Sequence, residues 1–112
     1  MKSSGEESQN ASSLLGKRLR DRRKLLELSQ EAVGVSIGLD ESCSRTRISR
    51  YESGIHEPKI ATVRLLSKVL SAPVAYFYAE KDALAELILR ISQMSDQEIE
   101  YIKTMIDSTR NK

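Results

Sequence analysis

Arginine and lysine are concentrated in two short stretches in the first half of the chain. Between residues 16 and 24 there are six basic side chains against one acid, and three more arginines follow between residues 45 and 50. Guanidinium and ammonium groups at this density bind phosphates and other anions. The basic residues are Lys17, Arg18, Arg20, Arg22, Arg23 and Lys24 in the first stretch, and Arg45, Arg47 and Arg50 in the second. Because the formal net charge is only +2, the placement of these charges, and not their sum, indicates an anionic partner.

Side chains suited to catalysis or metal binding are sparse. The chain has a single histidine, His56, and a single cysteine, Cys43, too few for a metal site or an internal disulfide. Asp40 and Glu41 have no partner base and are interpreted as helix-capping residues. The sequence also contains no glycine-rich phosphate loop. We therefore expect no enzymatic activity, no cofactor and no metal.

Length and composition favour one small folded domain with an extension. The chain has 112 residues, of which 39% are hydrophobic and 30% charged. Its longest apolar run, residues 72–79, contains Pro73 and is far shorter than the ~20 residues that span a membrane. The first ten residues lack the apolar stretch of a secretory signal. We expect a cytoplasmic protein with no membrane contact, beginning with a disordered lead over residues 1–13.

Apolar periodicity predicts an all-α fold, since no segment shows sustained period-two alternation. The predicted helices span residues 14–26, 30–37, 45–52, 61–70, 74–78, 80–92 and 96–108. The predicted caps are Ser12 or Ser13, Ser29 and Ser44 at helix starts, Gly38 and Gly54 at helix ends, and a capping box over Ser95–Glu98.

The third predicted helix has the composition of a helix that reads DNA. The major groove is ~12 Å wide and admits one helix, whose N-terminal residues reach the base edges. Arginine can donate two hydrogen bonds to guanine, and serine and threonine hydroxyls can bond bases or phosphates. Helical spacing buries Ile48 and Tyr51 and exposes the polar positions. The candidate DNA-binding residues of this segment are Ser44, Arg45, Thr46, Arg47, Ser49 and Arg50.

The order of motifs resembles the Cro and phage-repressor (Xre-type) helix-turn-helix family over residues 14–78. The matching pieces are Leu-Gly-Lys-Arg-Leu-Arg at 15–20, Leu-Ser-Gln-Glu at 28–31, Ile-Ser-Arg-Tyr-Glu-Ser-Gly at 48–54, Pro58, and the stripe from 60 to 70. The resemblance implies a lambda-repressor-like five-helix DNA-binding bundle, with two additional C-terminal helices here. It also implies that helices two and three form the reading motif and that double-stranded DNA is the partner.

The resemblance implies roles for four further residues. Gln30 is expected to contact a backbone phosphate, Glu52 to pair with Arg23, and Gly34 to let the two helices of the motif cross closely. Three features depart from the family pattern. Asp40 to Cys43 is a four-residue insertion between helices two and three, Arg22 replaces an apolar residue, and Glu27 stands where a glycine often ends helix one.

Residues 79–112 are richer in acids and contain two amphipathic stripes at helical spacing. Together these stripes present more apolar surface than two helices can hide against each other and a finished bundle. The stripes are Leu84, Leu87, Ile88 and Ile91, and Ile99, Ile102, Met105 and Ile106. We expect a homodimer through this region, because two-fold regulators place two reading helices in successive major grooves. The alternatives are that the helices pack back on their own domain, or that they hold a different protein partner.

The sequence is consistent with two functions. The leading interpretation is a sequence-specific transcriptional regulator, acting as a repressor that occupies an operator. The alternative is an antitoxin-like or anti-repressor-binding interaction protein whose C-terminal helices hold another protein.

Overall fold

A computed structural model describes residues 14–111, which form seven helices and no strand. The helices are α1 (Leu14–Leu25), α2 (Gln30–Ser36), α3 (Glu41–Ser53), α4 (Ile60–Val69), α5 (Val74–Tyr78), α6 (Asp82–Ser92) and α7 (Asp96–Arg110). The predicted all-α fold class is confirmed, and the predicted bounds are correct to within two residues except at the start of α3. The predicted disordered lead at 1–13, with its capping serines, lies outside the described residues.

The start of α3 corrects the sequence prediction. The N-cap is Asp40 and not Ser44, because the Asp40 carboxylate accepts a hydrogen bond from the Ser42 backbone N–H at 3.1 Å. The four inserted residues therefore add about one turn to the amino-terminal end of this helix. Gly54 ends the helix as predicted, with a φ of +83° that favours glycine.

Two glycines allow α3 to approach its neighbours closely. A Cβ atom built on Gly34 of α2 would lie 2.5 Å from the Ser44 Cβ, which confirms the expected close crossing of α2 and α3. A Cβ on Gly16 of α1 would lie 2.3 Å from the backbone oxygen of Glu52. α3 is therefore held between two close contacts that no larger side chain would permit without movement.

The core is drawn from α1 to α5 and the loops that join them. Tyr76 and Phe77 are part of it, with their rings edge to face and their centroids 5.2 Å apart. The buried apolar residues are Leu15, Leu19, Val33, Ile48, Tyr51, Val63, Leu66, Leu70, Ala72, Tyr76, Phe77, Ala79 and Ala85. Ala85 is the single buried residue of α6, so α6 lies on the rim of this core.

The two C-terminal helices differ in how they attach. α6 packs mainly against α5, with Ile88 and Leu89 partly buried against the core. α7 begins with the predicted capping box, in which Ser95 and Glu98 satisfy each other's backbone N–H groups. It has no buried residue and no substantial contact with another described helix. None of the helices described here is long and apolar enough to cross a membrane.

Candidate nucleic-acid interface

The exposed side of α3 carries the candidate residues at defined positions. Ile48 and Tyr51 are buried as predicted, and Arg45, Thr46, Arg47, Ser49 and Arg50 are all exposed. Because the buried side of α3 is fixed against α1 and α2, these polar side chains extend from a backbone that cannot rotate about its own axis.

Most of the predicted residues meet in one open depression of about 400 Å³. It lies where the start of α2 faces the middle of α3. The lining residues are Gln30, Arg45, Thr46, Ser49, Arg50 and Ile55. Two guanidinium groups, two hydroxyls and one amide thus line a single surface, which we call the reading surface. Such a set can donate hydrogen bonds to phosphate oxygens and to the acceptor atoms of bases.

Two predicted residues lie elsewhere. Ser44 is fully buried, and its hydroxyl donates a 2.8 Å hydrogen bond to the backbone oxygen of Asp40, so its prediction as a DNA contact is wrong. The insertion is the physical reason, because it moves the helix start one turn upstream and places Ser44 inside the α2–α3 crossing. Arg47 is exposed but does not line the reading surface. At 3.6 residues per turn, the side chains of Arg45 and Arg47 leave the helix about 160° apart.

A partly buried polar network joins the reading surface to α1. The structure brings Arg23 and Glu52 together, with Arg23 Nε and Nη2 both donating to the Glu52 carboxylate, the second at 3.1 Å. Gln30 Nε2 donates to the same carboxylate at 3.0 Å, and Arg23 Nη1 donates to the Leu28 backbone oxygen at 3.0 Å. Glu52 thus orients the amide of Gln30 at the edge of the reading surface.

Comparison with known families identifies this arrangement. The helix-turn-helix family matches residues 19–77, just over half of the chain. The chain belongs to the Xre/Cro-type helix-turn-helix family. Two curated relatives, both described as uncharacterized HTH-type transcriptional regulators, come from Sinorhizobium medicae and Rhizobium meliloti. Each is 32% identical over 66 residues. The match covers 59% of this chain and 45% of each relative, so the chain spans just under half of their length.

A solved structure extends the likeness beyond the family motif. The transcriptional regulator BswR superimposes with a TM-score of 0.78 and 34% identity, over 83% of this chain and 92% of that one. Because 83% of the chain is more residues than positions 1–79 contain, the likeness extends into residues 80–112.

The first turn of the reading helix in this helix-turn-helix protein is acidic. Asp40 caps it and Glu41 follows, both exposed. Hydrogen bonds from the Ser42 hydroxyl and backbone N–H lower the pKa of Asp40. An ionised carboxylate stabilises a helix N-terminus, and it can accept hydrogen bonds from cytosine or adenine amino groups but not from phosphates. Positive charge on α3 therefore begins one turn after the helix starts.

Two functional residues were missed in the sequence. Ile55 lines the reading surface and is 68% exposed. Its signal was a large apolar residue directly after the helix-ending Gly54, where no core position is expected. Arg18 was included in the basic stretch expected to face an anionic partner, yet it is only 3% exposed. Its contacts lie more than 60 residues along the chain, and no local pattern encodes them.

Proposed function

We propose that this helix-turn-helix protein is a sequence-specific DNA-binding transcriptional regulator that represses by occupying an operator. The reading surface carries the proposal, because it combines donors for bases and for phosphates on two helices, α2 and α3, that pack closely against each other. We place the protein in the cytoplasm, with double-stranded DNA as its partner, and the proposal includes no catalytic step.

The geometry supports different DNA contacts for different residues of the site. Arg45, Thr46 and Arg50 line the reading surface and would contact base edges, with Ser49 beside them. Gln30, held by Glu52, has a second amide hydrogen free by its chemistry to donate to a phosphate. Arg47, on the other flank of α3, would contact the phosphates of the opposite wall of the groove.

A random-pool selection followed by binding assays tests the proposal. The bound fragments should converge on one sequence, and affinity for it should exceed affinity for random DNA by ~10³ or more at physiological salt. Arg45→Ala should cost ~1–3 kcal/mol on the selected site and relax preference at one base pair. Arg47→Ala should weaken binding to selected and random DNA alike, because a phosphate contact carries no sequence information.

The matched control removes the same charge from a distant surface. Arg90 on α6 is exposed and pairs with Glu86, so Arg90→Ala should leave the DNA preference unchanged. Equal affinity for selected and random DNA in the wild-type chain would refute the proposal.

We further propose that the protein acts as a homodimer through α6 and α7. An isolated helix of 15 residues is marginally stable in water, and α7 obtains no substantial packing from its own chain. Its apolar side, Ile99, Ile102, Met105 and Ile106, leaves a shallow surface that includes two half-exposed side chains, Met105 and Ile106. A second copy of α7 would cover this surface and would give the two reading helices the two-fold relation that a pseudo-palindromic operator requires.

Light scattering at micromolar concentration tests the dimer. Met105→Glu combined with Ile106→Glu should give a monomer, because each change buries a charge against the partner copy. Thr104→Glu, on the opposite side of α7, should leave the dimer intact. A wild-type chain that is monomeric in this assay would exclude the homodimer and would favour a different protein as the occupant of α7.

A further inference from the structure

One buried cation bridges α1 and the start of the C-terminal helices. Arg18 of α1 donates from Nε and Nη2 to the Ala79 backbone oxygen, at 3.1 and 2.6 Å. Its Nη1 donates to the Asp82 carboxylate at 2.8 Å. Ala79 ends α5 and Asp82 begins α6, so this single guanidinium spans the hinge between the two parts of the molecule.

Packing alone does not fix α6 to α1. An open groove of about 360 Å³ lies between the two helices, with Arg18 and Asp82 among its lining residues. α1 and α6 have no substantial backbone approach, and α6 rests mainly on the short α5. Polar contacts at the start of α6 are therefore the main direct connection between it and α1.

The surroundings of Arg18 hold it in one orientation. The side chain is buried, and its guanidinium carbon lies 5.7 Å from the centroid of the Tyr76 ring. Lys17 contributes a second, looser contact to Asp82 at 3.6 Å. Because a guanidinium presents its donors in a rigid planar fork, its two acceptors on the hinge are fixed in direction as well as in distance.

α1 continues this connection to the reading helix. Gly16 lies directly against the backbone of Glu52, and Arg23 is bonded to the Glu52 carboxylate. A rigid path therefore runs from α3 through α1 and Arg18 to the start of α6.

We propose that Arg18 is a positioning residue that sets the angle between the reading surface and the dimerisation helices, and so fixes the half-site spacing that the protein accepts in its operator. The proposal rests on the proposed function, since it needs two reading helices joined by α6 and α7. Two half-sites bound by such a dimer lie ~34 Å apart along the DNA, and a hinge that can bend accepts neighbouring spacings.

The experiment measures affinity for operators in which the two selected half-sites are moved apart or together by one or two base pairs. Arg18→Lys keeps the charge and lacks the fork, and it should reduce discrimination against the shifted operators about tenfold, the scale of one lost charge-assisted hydrogen bond. Asp82→Ala, at an exposed position, should reduce it about threefold, because the Ala79 contacts remain. Asp82→Glu retains the carboxylate and should keep most of the discrimination.

The control is Glu86→Ala, which removes an acid one turn further along α6. It should leave the spacing preference unchanged. For all variants, affinity for an isolated half-site and the dimer dissociation constant should match wild type, which a general loss of structure would not allow. Unchanged discrimination in both Arg18→Lys and Asp82→Ala would overturn the positioning role while leaving the proposed function intact. A wild-type chain that binds its selected site as a monomer, or selects no site, would overturn both.

Discussion

Breaking the ion pair between Arg23 and Glu52 should be far more costly than breaking an ordinary surface pair. The two side chains are 12% and 5% exposed, and the Glu52 carboxylate accepts bonds from Arg23 and from Gln30. Removal of either partner leaves the other side chain largely desolvated and without an opposite charge, which costs ~3–5 kcal/mol. A domain of this size has a total stability of ~5–15 kcal/mol, so the single variants should fold but with a large loss.

A double-mutant cycle measures this coupling. Arg23→Met and Glu52→Leu are each expected to lower the free energy of unfolding by ~3–5 kcal/mol, and the double variant should recover most of that loss because no buried charge remains. Unfolding by urea, followed by far-UV circular dichroism at one fixed protein concentration, gives the values. Removal of Glu52 should also release the Gln30 amide and weaken DNA binding uniformly.

The exposed pair of Lys17 and Asp21, on the same helix, is the control. Both side chains are 50% exposed, and the charges lie 3.3 Å apart. Lys17→Ala should change stability by ~0–1 kcal/mol. Strictly additive losses for Arg23→Met and Glu52→Leu, or single losses as small as that of Lys17→Ala, would refute the reasoning.

Three further outcomes follow from local geometry. Glu27 has a φ of +59°, so Glu27→Gly should raise the free energy of unfolding by about 1 kcal/mol in urea unfolding, and a loss would contradict the inferred backbone strain. Gly34→Ala should lower the free energy of unfolding by ~1–3 kcal/mol, since the new Cβ would lie 2.5 Å from the Ser44 Cβ. An unchanged melting curve would mean that α2 and α3 can move apart without cost. Hydrogen bonding from Arg18 and the charge of Lys17 lower the pKa of Asp82. The contribution of the ionised Asp82 carboxylate to folding stability is therefore complete above about pH 5, and it is lost as the pH falls through the lowered pKa of the folded state. The stability difference between wild type and Asp82→Ala should therefore shrink below about pH 4, and a gap that is constant down to pH 2 would contradict it.

Local signals in the sequence were sufficient for most of the elements. The capping box at Ser95, the glycine at position 54 and the apolar stripes of α4 and α7 each depend on residues within one or two turns of one another, so the helices they define were placed correctly. The pairing of Arg23 with Glu52 came from the family resemblance and not from any local pattern. Gly34 was identified in the same way.

The start of α3 could not be decided locally because two good capping residues compete. Asp40 and Ser44 lie four residues apart, close to one helical turn, so either could begin a helix with the same buried side. The α2–α3 crossing decides between them, since it accepts the small Ser44 side chain beneath Gly34 and leaves Asp40 outside. The position of Arg47, by contrast, was available from the sequence, because helical spacing alone separates it from Arg45.

The first basic stretch serves a different purpose from the second. Four of its six cations are bonded within the protein: Lys17 to Asp21, Arg18 across the hinge, Arg22 to the backbone oxygens of Leu70 and Ser71, and Arg23 to Glu52. The number of basic residues in a stretch of sequence therefore does not show how many of them are available to bind DNA. The arginines of α3 are exposed because their helix turns its small and apolar side toward α1 and α2, and the Arg23 guanidinium of α1 is bonded to Glu52 of that helix. A helix rich in arginine can thus act as an internal support while a shorter arginine cluster on a neighbouring helix stays exposed.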